Sequence, residues 1–399
     1  MRKATRRDSK LLRIESQPLI ELFDSGEVPP AESAALFALP SVLLDSSITG
    51  PLVVGMGGPV WTHLTETAVG RIALIALPIP DGELYRDRDH TASLVVAGAE
   101  LAARIGARIV SLVGLLGSAT DYGRTVAGAL AARKGLPQAT TGHCTTAASV
   151  VMSLERIVLE AKRPIGRERI GFLGLGSVGE ATLELMLGRL PHPAELVLCD
   201  VRKEPLEVLA RDLPSRLGFR GSIRILQSKG AVPPELYDTT LIVGATNVSG
   251  LLEIDKLRPG TLIVDDSFPH CFETARAWDR MHAQSDILLT EGGSLLSARP
   301  LRETRYVPRE FELVPAAAAL QESLSQPSQD RIGSCILSGL LTSQFKELKP
   351  TVGRADAADS ALHYDRLRGL GFGAPELWCD GATLPQSLVT RFRKKAIRL

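Results

Sequence analysis

The run Gly174-Leu175-Gly176-Ser177-Val178-Gly179 presents backbone amides rather than side chains as its chemical surface. It follows the apolar stretch Arg169–Leu173 and leads into the helical pattern of Glu180–Met186, so it occupies a strand-turn-helix junction. There Gly174 permits a tight turn, Gly176 lets the backbone come close to a pyrophosphate, and Gly179 lets helix and strand pack with no side chain between them. Ser177 and Val178 begin the helix, whose free N–H groups and positive dipole end attract an anion. A second apolar run, Glu195–Cys199, ends in Asp200, about 20 residues beyond the last glycine, where a carboxylate that binds an adenosine ribose is expected. Asp200 favours NAD over NADP. Arg202 and Lys203 follow at once and offer positive charge to a 2'-phosphate, so both coenzymes stay open.

A bound nicotinamide needs a polarised substrate carbon and a proton donor nearby, which directs attention to polar loops at the ends of the strands. Those loops are Thr140–Thr146, Gly244–Asn247, Asp265–Cys271 and Glu291–Ser294. His143 and His270 are candidate proton donors, because imidazole titrates near neutral pH. Cys144 and Cys271, each directly after a histidine, are candidate nucleophiles or else small buried fillers. Ser294 is a candidate hydrogen-bond donor to substrate, or a turn residue after two glycines. Thr246 and Asn247 are expected at the nicotinamide ribose. Cys199, Cys335 and Cys379 read as structural. Asp265 and Asp266 pair two carboxylates, but with no further acidic or histidine ligand recognised near them the sequence predicts no metal site.

These residues require a scaffold, and the apolar runs Ser222–Leu226, Thr240–Gly244, Thr261–Asp265 and Asp286–Thr290 supply it. Short, nearly continuous apolar segments bounded by turn residues read as buried parallel strands. An α/β fold follows, with a doubly wound Rossmann domain over 161–300. Three further runs, Pro51–Met56, Arg71–Ala76 and Arg108–Val113, read as strands of a second α/β domain for substrate over 49–160, after an N-terminal extension over 1–48. Thr91–Ile105 and Thr145–Ala161 read as helices, as does Ser328–Leu348 in a C-terminal helical segment over 301–399 expected to pack between the domains.

At 399 residues two domains are the default. A formal charge of +1 with 23% charged residues carries no signature of nucleic-acid or membrane binding. Basic clusters at Arg2–Arg13 and Arg391–Arg398 read as solvated tails or as docking surfaces for an acidic partner. Five cysteines without paired spacing argue against a disulfide framework or a zinc site. No apolar run reaches the roughly 18 residues of a membrane span, and the expected location is the cytoplasm.

Several motifs in order carry a resemblance to a known family: Thr140–Gly142 with Thr146-Ala147, the turn at Ile170–Gly179, Leu262–Pro269, Gly292-Gly293, Ser334-Cys335 and Gly371-Phe372. Along nearly its whole length the chain resembles, remotely, the long-chain acyl-[acyl carrier protein] reductases, which reduce carrier-bound acyl thioesters to aldehydes. The resemblance implies an NAD(P)-dependent oxidoreductase acting on a small-molecule or carrier-bound acyl substrate, with a homo-oligomer compatible. In that family a cysteine shortly after the paired glycines takes up the acyl group; here the position is Ala298, and Ser294–Arg299 holds no cysteine. The family also resembles an NADPH user, whereas this chain has Asp200. Hydride transfer without a covalent intermediate is therefore expected. The alternatives are a dehydrogenase of a small amino or hydroxy acid or imine, with Arg299 as a substrate clamp, and a silent dinucleotide-binding partner protein.

Overall fold

The computed structural model describes residues 11–41, 53–308, 328 and 330–396. Its contacts divide the chain into two compact units, Met1–Gly142 with Leu296–Gly353, and His143–Leu295 with Arg354–Leu399. In chain order the strands are β1 (Leu12–Glu15), β2 (Ser33–Leu39), β3 (Val60–Thr67), β4 (Gly70–Pro80), β5 (Ile109–Leu112), β6 (Gln138–Thr140), β7 (Arg169–Leu173), β8 (Glu195–Asp200), β9 (Ser222–Gln227), β10 (Leu241–Gly244), β11 (Leu262–Asp265), β12 (Leu288–Glu291), β13 (Ser294–Leu296), β14 (Arg302–Tyr306), β15 (Arg331–Gly333), β16 (Trp378–Cys379) and β17 (Ala382–Thr383).

The first unit is built on a mixed sheet of order β1-β14-β3-β4-β2-β5-β6. β2 lies between β4 and β5, parallel to both, and its Ser-Ala-Ala-Leu-Phe-Ala-Leu sequence is almost wholly buried. Helix Arg88–Arg104 starts at Asp87, whose side chain caps the His90 N–H, and buries Thr91, Val95, Gly98, Ala99 and Ala102 at helical spacing. Gly98 belongs to that face because a Cβ there would meet Leu77 Cδ2 at 2.9 Å. Helix Ser334–Gln344 approaches this sheet closely. Gly339 N donates to Ser111 Oγ at 2.9 Å, and a Cβ on Gly142 would fall 2.9 Å from Cys335 Cα. The Thr140–Gly142 loop is fixed by Thr351, whose N–H donates to Thr140 Oγ1 at 3.0 Å and whose carbonyl accepts from Thr141 N at 2.9 Å.

The second unit is a six-stranded sheet of order β12-β11-β10-β7-β8-β9, parallel at every pairing. Counted from β7 this is the 3-2-1-4-5-6 order of a doubly wound Rossmann sheet. β10 and β11 are buried at every position, as strands covered on both faces must be. Helix Ser177–Arg189 packs against helix His143–Ala161 and buries Leu183, Leu185, Met186 and Leu187. Arg280 and Asp286 form a buried ion pair, with Arg280 also donating to the carbonyls of Ile254 and Leu257.

Several boundaries differ from the sequence reading. β1 and β2 are strands of the first sheet, so residues 12–39 are part of a domain and not an extension. Residues 53–56 are helical where Pro51–Met56 was expected to be a strand. Helix His143–Ala161 belongs to the nucleotide unit, and the expected C-terminal segment is shared, 296–353 going to the first unit and 354–399 to the second. Its helix starts only at Ser334, after a short strand at Arg331–Gly333. Three residues of the C-terminal basic cluster are docked: Arg391 donates to Ser285 Oγ at 3.0 Å, Lys395 to Gln284 O at 3.0 Å, and Arg393 pairs with Glu160 at 2.8 Å. Arg2, Lys3, Arg6, Arg7, Lys10 and Arg398 lie outside the described residues. Among the described residues no helix is long and apolar enough to cross a membrane.

Candidate active site

The turn between β7 and helix Ser177–Arg189 has a separate steric reason for each glycine. Gly174 has φ +92°, and a Cβ there would sit 2.5 Å from Ala245 O. At Gly179 a Cβ would fall 2.2 Å from Gly174 O. At Gly176 a Cβ would meet nothing within 4 Å, so the turn faces open space at the one glycine that packing leaves free. The helix that starts there is 13 residues long, and its first amides, with Val178 half-buried, are the donors available to an anion.

Asp200 is drawn to this turn. Its Oδ2 accepts from Leu175 N at 2.8 Å and its Oδ1 from Arg202 N at 3.1 Å, which fixes the carboxylate at the carboxyl end of β8. The Arg202 guanidinium stays half-exposed, 3.8 Å from Asp200 Oδ1, while Lys203 pairs with Glu207. Thr246 N donates to Ser267 Oγ at 3.1 Å and Asn247 is exposed, both on the loop after β10.

Residues 354–356, invisible to the sequence reading, complete the turn from far along the chain. Arg354 donates to the carbonyls of Leu175 and Gly176, each at 3.3 Å, and pairs with Glu180. Ala355 N donates to Ser177 Oγ at 2.8 Å, and the same hydroxyl shares a hydrogen bond of 2.9 Å with His143 Nδ1. No local pattern marks Arg354, since about 180 residues separate it from its partners in sequence.

His143 therefore touches the helix that begins at the glycine turn. Burial lowers its pKa to about 4, so at neutral pH it is an uncharged hydrogen-bonding partner and not the imidazolium acid expected from sequence. Below an unfolded pKa of about 6.5 the unfolded chain takes up a proton that the native state refuses, so this residue lowers stability progressively as the pH falls from about 6.5 to about 4. We expect the His143 ring resonances to show no titration between pH 5 and 8. A midpoint near 6.5 in proton NMR, lost in His143→Gln, would contradict this.

Three cysteines near the turn and the sheet edge are buried. Cys144 is buried, with Sγ 3.8 Å from Asp356 O. Cys271 is fully buried, and burial together with the Asp265 carboxylate pushes its thiol well above the usual range. Cys199 is pushed up to about 12 by burial and by Asp200. None of these three buried thiols has the exposed, electropositive surroundings of a reactive thiolate. Ser294 is half-buried, and its carbonyl accepts from Ser149 Oγ at 3.2 Å.

The ends of β11 and β12 gather acid and base. Asp265 is buried, accepting from Ser267 N and from Cys271 N, and its Oδ2 lies 2.9 Å from His270 Nδ1. His270 Nε2 is 3.4 Å from Glu291 Oε1. Burial would lower the pKa of His270, but its hydrogen bonds to the two carboxylates outweigh that and raise it to about 10. Asp266 is raised well above the carboxylate range, by loss of hydration and then by the charges of Asp265 and Glu291. Gly292 and Gly293 make room for it: a Cβ on Gly293 would lie 2.7 Å from Asp266 Oδ1. The carboxylate pair thus has histidine, glutamate and thiol neighbours that spacing alone did not show.

The strand order and the turn together define the class: a doubly wound, Rossmann-type α/β unit. No protein-family profile matches the chain, and no curated protein sequence matches it. Among solved structures it is similar to L-tryptophan dehydrogenase from Nostoc punctiforme, at 13% identity and a TM-score of 0.34, over 93% of this chain and 88% of the other. It is also similar to shikimate 5-dehydrogenase from Listeria monocytogenes in complex with shikimate and NAD, at 14% identity and 0.32, over 66% and 86%. A third is Δ(1)-pyrroline-2-carboxylate reductase from Thermococcus litoralis with NADH and L-proline, at 17% identity and 0.24, where the chain spans 40% of that protein's length. The fold assignment rests on the strand order itself.

Proposed function

We propose that this protein is an NAD(P)-dependent oxidoreductase that transfers a hydride directly to or from a carbonyl carbon, with the acyl thioester of a carrier among its candidate substrates. The open face at Gly176, within a Rossmann strand order and beside a fixed Asp200, carries the reading. A pyrophosphate needs both features: space against the backbone and amides at a helix start. When bound, a nicotinamide dinucleotide supplies or accepts the hydride. The chain's own residues do the rest. Gly176, Ser177 and Val178 present backbone to the phosphates, Asp200 offers oxygen to the adenosine ribose, and Arg354 holds the turn in place. Asp266, whose carboxyl is raised well above the carboxylate range by lost hydration and by the charges of Asp265 and Glu291, is the candidate to exchange a proton with substrate oxygen or nitrogen.

Buried cysteines favour reduction without an acyl-enzyme. A second reading, a dehydrogenase of a small amino or hydroxy acid or an imine, is favoured by the same candidate proton donor, because interconverting C=O with CH–OH, or C=N with CH–NH, needs one proton per hydride. Arg299 is exposed, its N–H donating to Ser297 Oγ at 3.3 Å.

Purified protein titrated with NADH and NADPH should bind both saturably, NADH more tightly. Mixing with carbonyl, imine and carrier-bound thioester substrates should then consume coenzyme, with Cys144→Ala and Cys271→Ala retaining turnover. Absence of binding heat for both coenzymes at millimolar concentration would remove the enzymatic reading.

A further inference from the structure

His270, Glu291 and Cys379 come from three separate segments of the second unit, and one donor atom from each lies within 4.8 Å of the other two. We propose that they form a binding site for zinc, with a fourth position left to water or substrate.

The donor set selects the metal. An imidazole nitrogen, a carboxylate oxygen and a thiolate sulfur suit Zn²⁺ and its spectroscopic substitute Co²⁺, whereas Mg²⁺ and Ca²⁺ prefer oxygen throughout. Zinc bonds of about 2.0–2.3 Å place tetrahedral ligand atoms roughly 3.3–3.8 Å apart. The His270 Nε2 to Glu291 Oε1 separation of 3.4 Å is already in that range.

The histidine is held ready for the role. Its Nδ1 is 2.9 Å from Asp265 Oδ2, which leaves Nε2 to face Glu291, and Phe272 stacks on the ring with centroids 5.5 Å apart at 23°. Asp265 is itself fixed by the amides of Ser267 and Cys271. A carboxylate that orients the histidine through its second nitrogen is the usual support of a metal ligand. Gly244 is needed for this, since a Cβ there would lie 2.2 Å from Asp265 Oδ1.

Cys379 is delivered by the backbone. The short strand Trp378–Cys379 runs beside β12, with Trp378 N donating to Thr290 Oγ1 at 3.4 Å and Asp380 N to Glu291 Oε1 at 2.5 Å. Its side chain is fully buried. An ion pair of His270 with two carboxylates accounts for the histidine and the acids, but gives the thiol beside them no part.

The full chain, stripped with a chelator and titrated in competition with a chromogenic chelator, should take up one equivalent of Zn²⁺. Co²⁺ should produce a thiolate charge-transfer band in the near ultraviolet that is absent in Cys379→Ala and Cys379→Ser and kept in Cys271→Ala. Asp265→Asn should weaken binding 10- to 100-fold. Failure to bind a stoichiometric ion, or an unchanged band in folded Cys379→Ala, would show an ion pair only and overturn the proposal. No coenzyme is present in this titration, so its outcome is independent of the dinucleotide reading.

Discussion

Gly176→Val should bind NADH at least 100-fold more weakly while melting within a degree or two of the parent. A hundredfold loss is about 2.7 kcal/mol, well within what displacing a pyrophosphate from its amides can remove. A Cβ added at Gly176 meets no protein atom within 4 Å, and the backbone there, φ −71° and ψ −157°, is extended. Gly179→Ala makes the contrast. Its Cβ would lie 2.2 Å from Gly174 O, so that variant should lose stability rather than affinity alone. Isothermal titration paired with melting curves separates the two effects. Unaltered NADH affinity in a folded Gly176→Val protein would place the coenzyme elsewhere or nowhere.

Arg280→Ala should cost about 3–5 kcal/mol, the largest stability effect expected from one substitution here. Arg280 and Asp286 are 7% and 2% exposed and meet through two contacts of 3.0 Å. Removing the guanidinium strands Asp286 as a buried charge and leaves the carbonyls of Ile254 and Leu257 without their donor. Replacing both partners, as in Arg280→Met with Asp286→Leu, should recover much of the loss, since the penalty belongs to the orphaned charge more than to the missing attraction. Calorimetry reads this as a melting temperature lower by roughly 10 °C for the single variant. A cost below about 1 kcal/mol would mean that water reaches the pair.

The nucleotide unit was legible because its signals are local. β7, β8 and β9 were readable as apolar runs, and the glycine turn as six consecutive residues. β2 was not, since Ser-Ala-Ala-Leu-Phe-Ala-Leu has neither alternation nor β-branched residues and suits a helix equally well. The site was legible to the same depth. Asp200 stands at a fixed interval from Gly179, whereas Arg354 and Cys379 reach their partners from about 180 and 90 residues away. His143, a candidate proton donor by residue type, is a related case: the sequence announces imidazole, whereas the burial that lowers its pKa comes from packing.

The interleaving of the two units has a consequence for how the chain emerges from the ribosome. β14 lies between β1 and β3, so the first sheet cannot close until residue 306 has been made, after all six strands of the second. That second sheet in turn waits for Arg354 and Cys379 to receive its last supports. Nascent β1 and β3 thus keep open hydrogen-bonding edges for much of translation, when slow long-range pairing leaves a chain most prone to association and most in need of a chaperone.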